Sequence, residues 1–437
     1  MIRLTTIVDV PSSRETQATS NSIYIGDSLG STIRRALIPS APDSANQLLE
    51  ELPLRLRQDE VLTTFAVDES SRLMAIVASD EEVGDSRCVY LQDSNSGAEH
   101  PDVSPSCHRI DLGFVPLKGD RLDQVEIGQV SIFGDLVGIL LGGELMVYNW
   151  KTGLCILKSP SPRSEKLKSF TFLSEDIIVT SYFDFLAIDV WYPRSYGKSA
   201  ESWKCWMTLE FPPLTRPLLK HSTHRSLDFT PLTTLGAQKP GAIVIVQLYI
   251  DYFDGTSIYT KPYVFNWIFL HEYLIRTIRI IASWKPLYRA DGLVYVLPWD
   301  LWGPQISHCF NITKAKLQFI DLGNVAMSTL QEDKDRSGNV LSIKRADHAT
   351  FSDPEAAAEY DVVFACPVLS ALECVEVHVG IMPHKFVVID GFRRIFGRRR
   401  MRDDEEIPWE EEDTEVDEDD DEDEDESACY SIDVFAL

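Results

Sequence analysis

The segment GELMVYNWKTG, residues 143–153, decides the fold because its apolar residues alternate as in a β-strand. Successive side chains of a strand point to opposite faces. We therefore expect one face to hold Leu145, Val147 and Asn149, and the other to hold Met146, Tyr148 and Trp150. Both faces carry apolar residues, which is typical of a strand covered by neighbouring sheets.

The end of this segment predicts a turn and a core residue. Lys151, Thr152 and Gly153 form the turn, in which the glycine supplies a positive φ. Trp150 is expected to lie in the core, where its indole N–H needs an acceptor. The alternative is a simple hairpin in some other β protein.

Related units recur along the chain as an apolar strand followed by an Asp or Asn and a turn: MVYNWKTG at Met146, LAIDVWYPRS at Leu186, LQFIDLGN at Leu317 and YSIDVFAL at Tyr430. Spacings of about 40 residues and more suit irregular propeller blades. We predict an all-β fold, an irregular β-propeller of six to eight blades with a poorly ordered N-terminal arm and a disordered acidic loop. Two β-sandwich domains are the alternative.

Strands are predicted from short runs of β-branched and aromatic residues, at 62–67, 73–78, 125–133, 136–141, 145–150, 170–173, 177–180, 186–191, 242–250, 263–269, 293–297, 317–322, 361–365, 374–379 and 386–389. Residues 270–284 fit either a helix or a pair of strands, and 353–359 a short helix. We divide the chain into a loosely ordered arm, 1–59, and a propeller, 60–437. The propeller includes a polar loop, 331–351, a basic and acidic insertion, 393–427, and a closing strand, 428–437.

The net charge of −27 is a local feature, because Asp403–Glu426 holds 19 acidic side chains in 24 residues. Without that run, 49 acidic side chains face 41 basic ones. An acidic surface repels nucleic-acid phosphates, so composition argues against direct nucleic-acid binding. No secretion signal or apolar run of about 20 residues is present, so we expect no membrane span and a location in the cytoplasm, the nucleus or both. We also expect a monomer.

An arginine cluster precedes the acidic run, formed by Arg393, Arg394, Arg398, Arg399, Arg400 and Arg402. The cluster could be a nuclear-import signal beside an acidic tail that binds basic partners. Alternatively, the arginines pair with the acidic side chains inside one long loop. We favour this alternative because the strand-like segment ACYSIDVFAL follows at Ala428.

No catalytic, metal or cofactor motif is recognisable, and we predict no enzyme, no cofactor and no metal site. Three pairs with a histidine lack further ligands nearby in the sequence: His221 and His224, expected in a surface loop; His308 and Cys309; and Asp347 and His348. The eight cysteines are widely spaced and are expected to be reduced core residues. Gly134, Gly138, Gly142 and Gly143 fall at strand boundaries and do not form a nucleotide fingerprint.

The order SIFGDLVGILL, GELMVYNWKTG and SFTFLSEDIIVTS, from Ser131 to Ser181, resembles a group of fungal F-box proteins with a C-terminal degenerate WD-repeat-like propeller. FVVIDGFRRIFG at Phe386 and the segment from Ala428 are similar to the end of such chains. The F-box itself is apparently absent, since Leu52-Pro53 is present but no helical pattern follows. Docking of a cullin adaptor is therefore expected only if an F-box exists outside this chain.

The resemblance implies a non-enzymatic protein–protein interaction domain, the substrate-recognition half of an F-box protein in the ubiquitin-ligase lineage. Its clients and their contact residues remain unknown from sequence. The alternative is a nuclear acidic-loop scaffold or chaperone that binds basic proteins. A propeller-fold hydrolase is a third class, which would need a deep pocket with perturbed carboxylates or histidines.

Overall fold

The computed structural model describes residues 3–11, 15–19, 22–26, 32–37, 49–80, 86–114, 128–159, 167–183, 185–193, 203–215, 222–229, 237, 242–252, 261–283, 295–303, 307–311, 316–320, 342–346, 374–378, 384–389, 394–400 and 429–436. Within these residues, 28 strands form seven sheets that follow one another along the chain. We call these sheets blades 1 to 7.

The strands of blades 1 to 3 are antiparallel and mostly follow chain order. The N-terminal strand β1, Arg3–Pro11, belongs to blade 7. Blade 1 contains β2 (Glu15–Ala18), β3 (Ser22–Gly26), β4 (Thr32–Leu37) and β5 (Leu49–Pro53). Blade 2 contains β6 (Glu60–Asp68), β7 (Leu73–Asp80), β8 (Ser86–Asp93) and β9 (Arg109–Phe114), with a 3-10 turn at Pro105–Cys107. Blade 3 contains β10 (Gln129–Phe133), β11 (Leu136–Leu141), β12 (Glu144–Asn149) and β13 (Leu154–Ser159).

Blades 4 and 5 are connected by a segment of blade 5 that adds a strand to blade 4. Blade 4 contains β14 (Leu167–Ser174), β15 (Ile177–Tyr182), β16 (Ala187–Pro193) and β17 (Trp203–Glu210). Blade 5 contains β18 (Ser222–Phe229), β19 (Ile243–Tyr252), β20 (Lys261–Leu270) and β22 (Ser307–Asn311). Between β20 and β22 lie helix α1 (His271–Ser283), strand β21 (Tyr295–Leu297) and the short helix α2 (Trp299–Trp302).

The last two blades contain the C-terminal strands together with β1. Blade 6 contains β23 (Lys316–Ile320), β24 (Ser342–Ala346) and β25 (Cys374–His378). Blade 7 contains β26 (His384–Ile389), β27 (Arg394–Arg400) and β28 (Cys429–Ala436), and β1 adds its fourth strand. β1 pairs antiparallel with β28 from Arg3 opposite Ala436 to Pro11 opposite Cys429, so the two ends of the chain share one sheet.

The blades pack as in a β-propeller. In blades 1 to 5, the first strand of each blade contacts the first strand of the next. Four buried apolar clusters lie at the successive junctions between these blades. Because both faces of a blade between two others are covered, its inner strands can be apolar on both faces, as in β11, where every residue is buried. The predicted fold class is confirmed, with seven blades.

The segment at residues 143–153 has the predicted arrangement. Leu145 and Val147 lie in the cluster between blades 3 and 4, while Met146 and Trp150 lie in the cluster between blades 2 and 3. Trp150 is 1 % exposed and its Nε1 donates to the carbonyl oxygen of Gly134 at 2.9 Å. The turn contains Gly153 at a φ of +77°.

Several predictions are corrected. The arm at 1–59 contains a complete blade, because Tyr24, Ile33 and Leu52 are buried against blade 2 although polar residues interrupt each short run. The polar loop 331–351 contains β24, and the basic part of the insertion 393–427 is strand β27, paired on both edges. Residues 270–284 contain a helix. The acidic run 403–426 and the elements predicted at 353–359 and 361–365 lie outside the described residues.

Candidate partner-binding surface

The segment between β20 and β22 leaves its own blade and joins the neighbouring one. We call this segment the insertion from here on; it is distinct from the basic and acidic stretch at 393–427. α1 follows β20 directly, and β21 then pairs in parallel with β17, with Tyr295 opposite Met207 and Leu297 opposite Leu209. The insertion thereby adds a fifth strand to blade 4 before returning to blade 5. It bridges two blades of a rigid scaffold, a position in which binding residues often lie.

His271 fixes the start of α1. Its Nε2 lies 2.6 Å from the carbonyl oxygen of Leu173 in blade 4, and its backbone N–H donates to Ala242 at 2.9 Å. A carbonyl oxygen can only accept, so Nε2 carries the hydrogen. Burial lowers the pKa of His271 below its usual 6.5, partly opposed by the hydrogen bond to Leu173. The imidazole is therefore neutral at neutral pH.

An aromatic cluster supports the rest of the insertion. The rings of Trp299 and Trp302 are buried and lie 5.1 Å apart. Phe211 stacks on Trp299 at 5.5 Å, and Phe269 stacks on Trp302 at 5.6 Å. The Nε1 of Trp302 donates to the carbonyl oxygen of Glu210 at 2.9 Å. Buried aromatic pairs of this kind hold α2 firmly against blades 4 and 5.

The insertion exposes large hydrophobic side chains on α1, β21 and α2. In the described part of the chain, six such side chains are exposed, and four lie here: Tyr273 (42 %), Ile280 (44 %), Val296 (46 %) and Leu301 (62 %). Tyr273 and Ile280 are seven residues apart on α1, so they share one stripe of the helix. Leu274, Ile278 and Ile281 occupy its buried face. Exposed apolar residues concentrated in this way mark interaction sites.

The charges on α1 are unevenly satisfied. Arg279 donates from Nη2 to Oδ1 of Asp176, in the turn between β14 and β15, at 3.3 Å. Arg276 is exposed and has no carboxylate within ion-pair distance among the described residues. Arg276 lies between Tyr273 and Ile280 on the same side of the helix, so the exposed stripe combines apolar surface with an available cation. We call the exposed residues Tyr273, Arg276, Ile280, Val296 and Leu301 the insertion face.

Solved structures with a similar arrangement of strands are WD40 β-propellers and related domains. The WD40 domain of SCAP from fission yeast is 8% identical, with a TM-score of 0.36, and the match covers 98% of this chain and 82% of that one. The WD40 β-propeller domain of Doa1 is 8% identical, with a TM-score of 0.29, and the match covers 60% of this chain and 85% of that one. Kluyveromyces lactis Hsv2 with loop 6CD replaced by a Gly-Ser linker is 9% identical, with a TM-score of 0.30, and the match covers 68% of this chain and 71% of that one. No family model and no curated protein matches the chain.

The histidine-containing pairs considered from sequence are described only in part. His224 lies in strand β18, and His308 and Cys309 lie in β22, so the first is not in a loop as predicted; His221, Asp347 and His348 lie outside the described residues. No group of three potential metal ligands occurs in the part of the chain that is described. Gly134, Gly142 and Gly143 adopt positive φ in turns, but Gly138 is inside β11, where blade 4 leaves no room for a side chain.

The cysteines are only partly as predicted. Cys88 and Cys107 are buried free thiols, Cys205 is half-buried, and Cys155 is exposed on β13, contrary to expectation. β13 is the outer strand of blade 3, and no strand of the described residues covers its second edge. The side chains of the other four cysteines lie outside the description.

A polar cluster in blade 2 contains Glu60, Cys88, Tyr90 and Arg109. Oε2 of Glu60 accepts a hydrogen bond from Tyr90 at 2.5 Å, and its Oε1 accepts from Cys88 at 3.3 Å and from Arg109 at 3.2 Å. Burial alone would raise the pKa of Glu60, but these hydrogen bonds outweigh it and lower the pKa. Burial, and then the hydrogen bond to Glu60, raise the pKa of Cys88 to about 12.

This cluster is built as a structural contact. Arg109 also lies 5.7 Å above the ring of Tyr90 and pairs with Asp111, so its guanidinium is fully engaged. Each charged group in the cluster faces another side chain of the same cluster, which leaves no convergent polar group aimed at a substrate. Perturbed pKa values are common in structural ion-pair networks as well as in active sites.

Among the described residues, no helix has both the length and the apolar character required to cross a bilayer.

Proposed function

We propose that this protein is a non-enzymatic protein–protein interaction domain and that its clients bind at the insertion face. The observation that carries the proposal is the concentration of four exposed large hydrophobic side chains on a single insertion anchored to two blades. Exposed aromatic and aliphatic residues on a rigid support bind partners at a small cost in conformational entropy.

The chemistry of the insertion face specifies the kind of partner segment. Tyr273 and Ile280 offer an apolar stripe, and Arg276 between them offers a cation that Asp176 does not neutralise. A matching partner segment would place apolar side chains against the stripe and a carboxylate beside Arg276. Apolar anchors supply affinity and a charge pair at the rim improves specificity and the association rate.

The F-box resemblance extends this proposal. In that lineage the propeller would be the substrate-recognition half of a ubiquitin-ligase receptor, and the client would be a ligase substrate. Docking of a cullin adaptor would then require an F-box outside this chain. Co-purification of the cullin adaptor with the full-length protein supports the lineage. If clients bind the insertion face and the adaptor does not co-purify, the proposed interaction domain stands and the ligase role is rejected.

The test compares quantitative affinity capture by the wild type with capture by Tyr273→Ser/Ile280→Ser and Arg276→Glu. Leu37→Ser is the matched control, because Leu37 is 56 % exposed on β4 of blade 1. We expect a defined set of proteins to bind the wild type and L37S but not the insertion-face variants. If all variants, including L37S, lose partner binding equally, or if all of them retain it, the proposed site is contradicted. Circular dichroism establishes that each variant is folded.

The acidic run supports a second candidate, a nuclear scaffold or chaperone for basic proteins. Nineteen acids in 24 residues would attract cationic partners through a long-range field that salt screens. Deletion of residues 403–426 should then abolish salt-sensitive binding of a basic probe such as core histones. Unchanged binding after the deletion contradicts this candidate and leaves the insertion face as the proposed site.

A further inference from the structure

The outer strands of the blades differ in how their free edges are protected. An unpaired strand edge presents backbone N–H and C=O groups that can pair with another chain, and charged residues or proline on the edge discourage this. β5, at the edge of blade 1, carries the exposed residues Glu50, Glu51 and Pro53. β9, at the edge of blade 2, carries Arg109 and the exposed Asp111.

β17, the outer strand of the four that make up blade 4, is protected in another way. Its sequence WKCWMTLE is largely apolar, with Trp203, Met207 and Leu209 buried. The insertion supplies β21, which pairs along Met207–Leu209 and adds a fifth, parallel strand. The fold therefore accepts an added short strand, Tyr-Val-Leu in sequence, on the outside of an apolar blade.

β13, at the edge of blade 3, has no added strand among the described residues, and a single exposed charge protects it. Its sequence LCILKS contains one charged residue, Lys158, and Leu154 is 63 % exposed, the most exposed large hydrophobic residue in the described part of the chain. Cys155 beside it is also exposed. β13 pairs with β12, and no other described strand pairs with it.

We propose that the free edge of β13 is a β-augmentation site, at which an extended apolar segment of a partner protein adds a fifth strand to blade 3. The pairing of β21 with β17 in the adjacent blade provides the template for this interaction. The partner segment would resemble β21, with aliphatic or aromatic residues and no charge over about three to six residues, because backbone pairing supplies the affinity and alternate side chains supply the specificity. Leu154 would cover one side of the added strand.

The proposal is tested with a fluorescent peptide of the sequence LVYVLP, residues 293–298 of this chain, as the probe. We expect saturable binding by fluorescence anisotropy. Leu154→Glu places a carboxylate on the edge, as in β5, and should weaken binding at least about tenfold. Leu37→Glu is the matched control: its site is also exposed, but β4 is paired on both edges, so binding should be unchanged.

Two further measurements separate strand pairing from other causes. A peptide N-methylated at every backbone amide keeps its side chains but has no N–H to donate from either edge, so its binding should be lost; equal binding of both peptides overturns the proposal. Disulfide trapping uses the exposed thiol of Cys155. For this step a cysteine is added to the end of the peptide and converted to a mixed disulfide with thionitrobenzoate. The Cys155 thiolate attacks the sulfur of the added cysteine, the new S–S bond joins protein and peptide, and thionitrobenzoate leaves as its thiolate.

The trapped product should form at Cys155 faster with the LVYVLP peptide than with a glycine–serine peptide carrying the same mixed disulfide. Equal trapping rates overturn the proposal. A wild-type homodimer that L154E dissociates would also overturn it, because the edge would then bind a second copy of this chain. The absence of saturable peptide binding to the folded wild type has the same consequence. None of these measurements depends on the insertion face, so either proposal can fail alone.

Discussion

Replacement of Trp150 tests whether the junction of blades 2 and 3 is a packed core. The Trp150 ring is 1 % exposed, meets His100 edge-on at 5.4 Å between centroids, and donates from Nε1 to Gly134 at 2.9 Å. Trp150→Phe removes the hydrogen bond and part of the ring, which should cost about 1–3 kcal/mol. Trp150→Ala removes the whole ring and should cost about 3–5 kcal/mol in the free energy of unfolding.

The measurement is urea unfolding followed by circular dichroism, with the midpoint and slope fitted for each variant. Stability should fall in the order wild type, W150F, W150A. Leu154→Ala, four residues away on the exposed edge, is the control and should change stability by less than about 0.5 kcal/mol. If W150A loses less than about 1 kcal/mol in the free energy of unfolding, the junction is not a packed core, because a cavity the size of an indole ring in such a core should cost more.

Three further perturbations test other parts of the fold and the site. A Cβ on Gly138 would lie 2.4 Å from Cε2 of Phe170, so Gly138→Ala should destabilise the protein by about 1–3 kcal/mol, measured by thermal unfolding; an unchanged melting temperature would contradict this packing. The folded-state pKa of His271 is depressed, so its contribution to stability should be lost as the pH falls below 6.5. His271→Gln can still donate to Leu173 and should remove this pH dependence of the unfolding free energy, measured by urea titration. An identical pH dependence in both proteins would exclude His271 as its source. Arg109→Met leaves Glu60 without its cation and should cost about 1–3 kcal/mol, less than for a fully buried pair because Arg109 is partly exposed; a neutral result in urea unfolding would show that the cluster adds no stability.

The inner strands could be predicted from sequence because burial on both faces makes them continuously apolar. β11, predicted at 136–141, has the same bounds in the structure, and β12 and β15 differ by one or two residues. The pattern failed where a strand is short or carries charge. β4, TIRRAL, contains two arginines, yet its Ile33 is buried against blade 2. One buried position among the five described side chains of β4 is too weak a signal to distinguish a strand from a loop.

The candidate surface was harder to predict. Residues 270–284 showed apolar spacing compatible with both a helix and strands, because Ile and Thr, which favour strands, occupy many positions. The tertiary packing of Leu274, Ile278 and Ile281 against blades 4 and 5 settles the helix. Exposure of Tyr273 and Ile280 then follows from helix geometry. Sequence alone could not show that β21 pairs with a strand some 90 residues earlier, since that parallel pairing depends on where the insertion crosses between blades.

The two proposed surfaces arise from the same physical requirement, the protection of apolar strand edges. The insertion covers the edge of β17 with β21, and the crossing that makes this possible carries α1 and α2 to the outside, where they present the insertion face. Covering one edge therefore exposes apolar residues elsewhere on the same segment. β13 is also largely apolar and has no described strand beside it, and we propose that a partner segment does for blade 3 what the insertion does for blade 4. If both proposals hold, two neighbouring blades bind partners by different means, one through helical side chains and the other through the backbone of a strand.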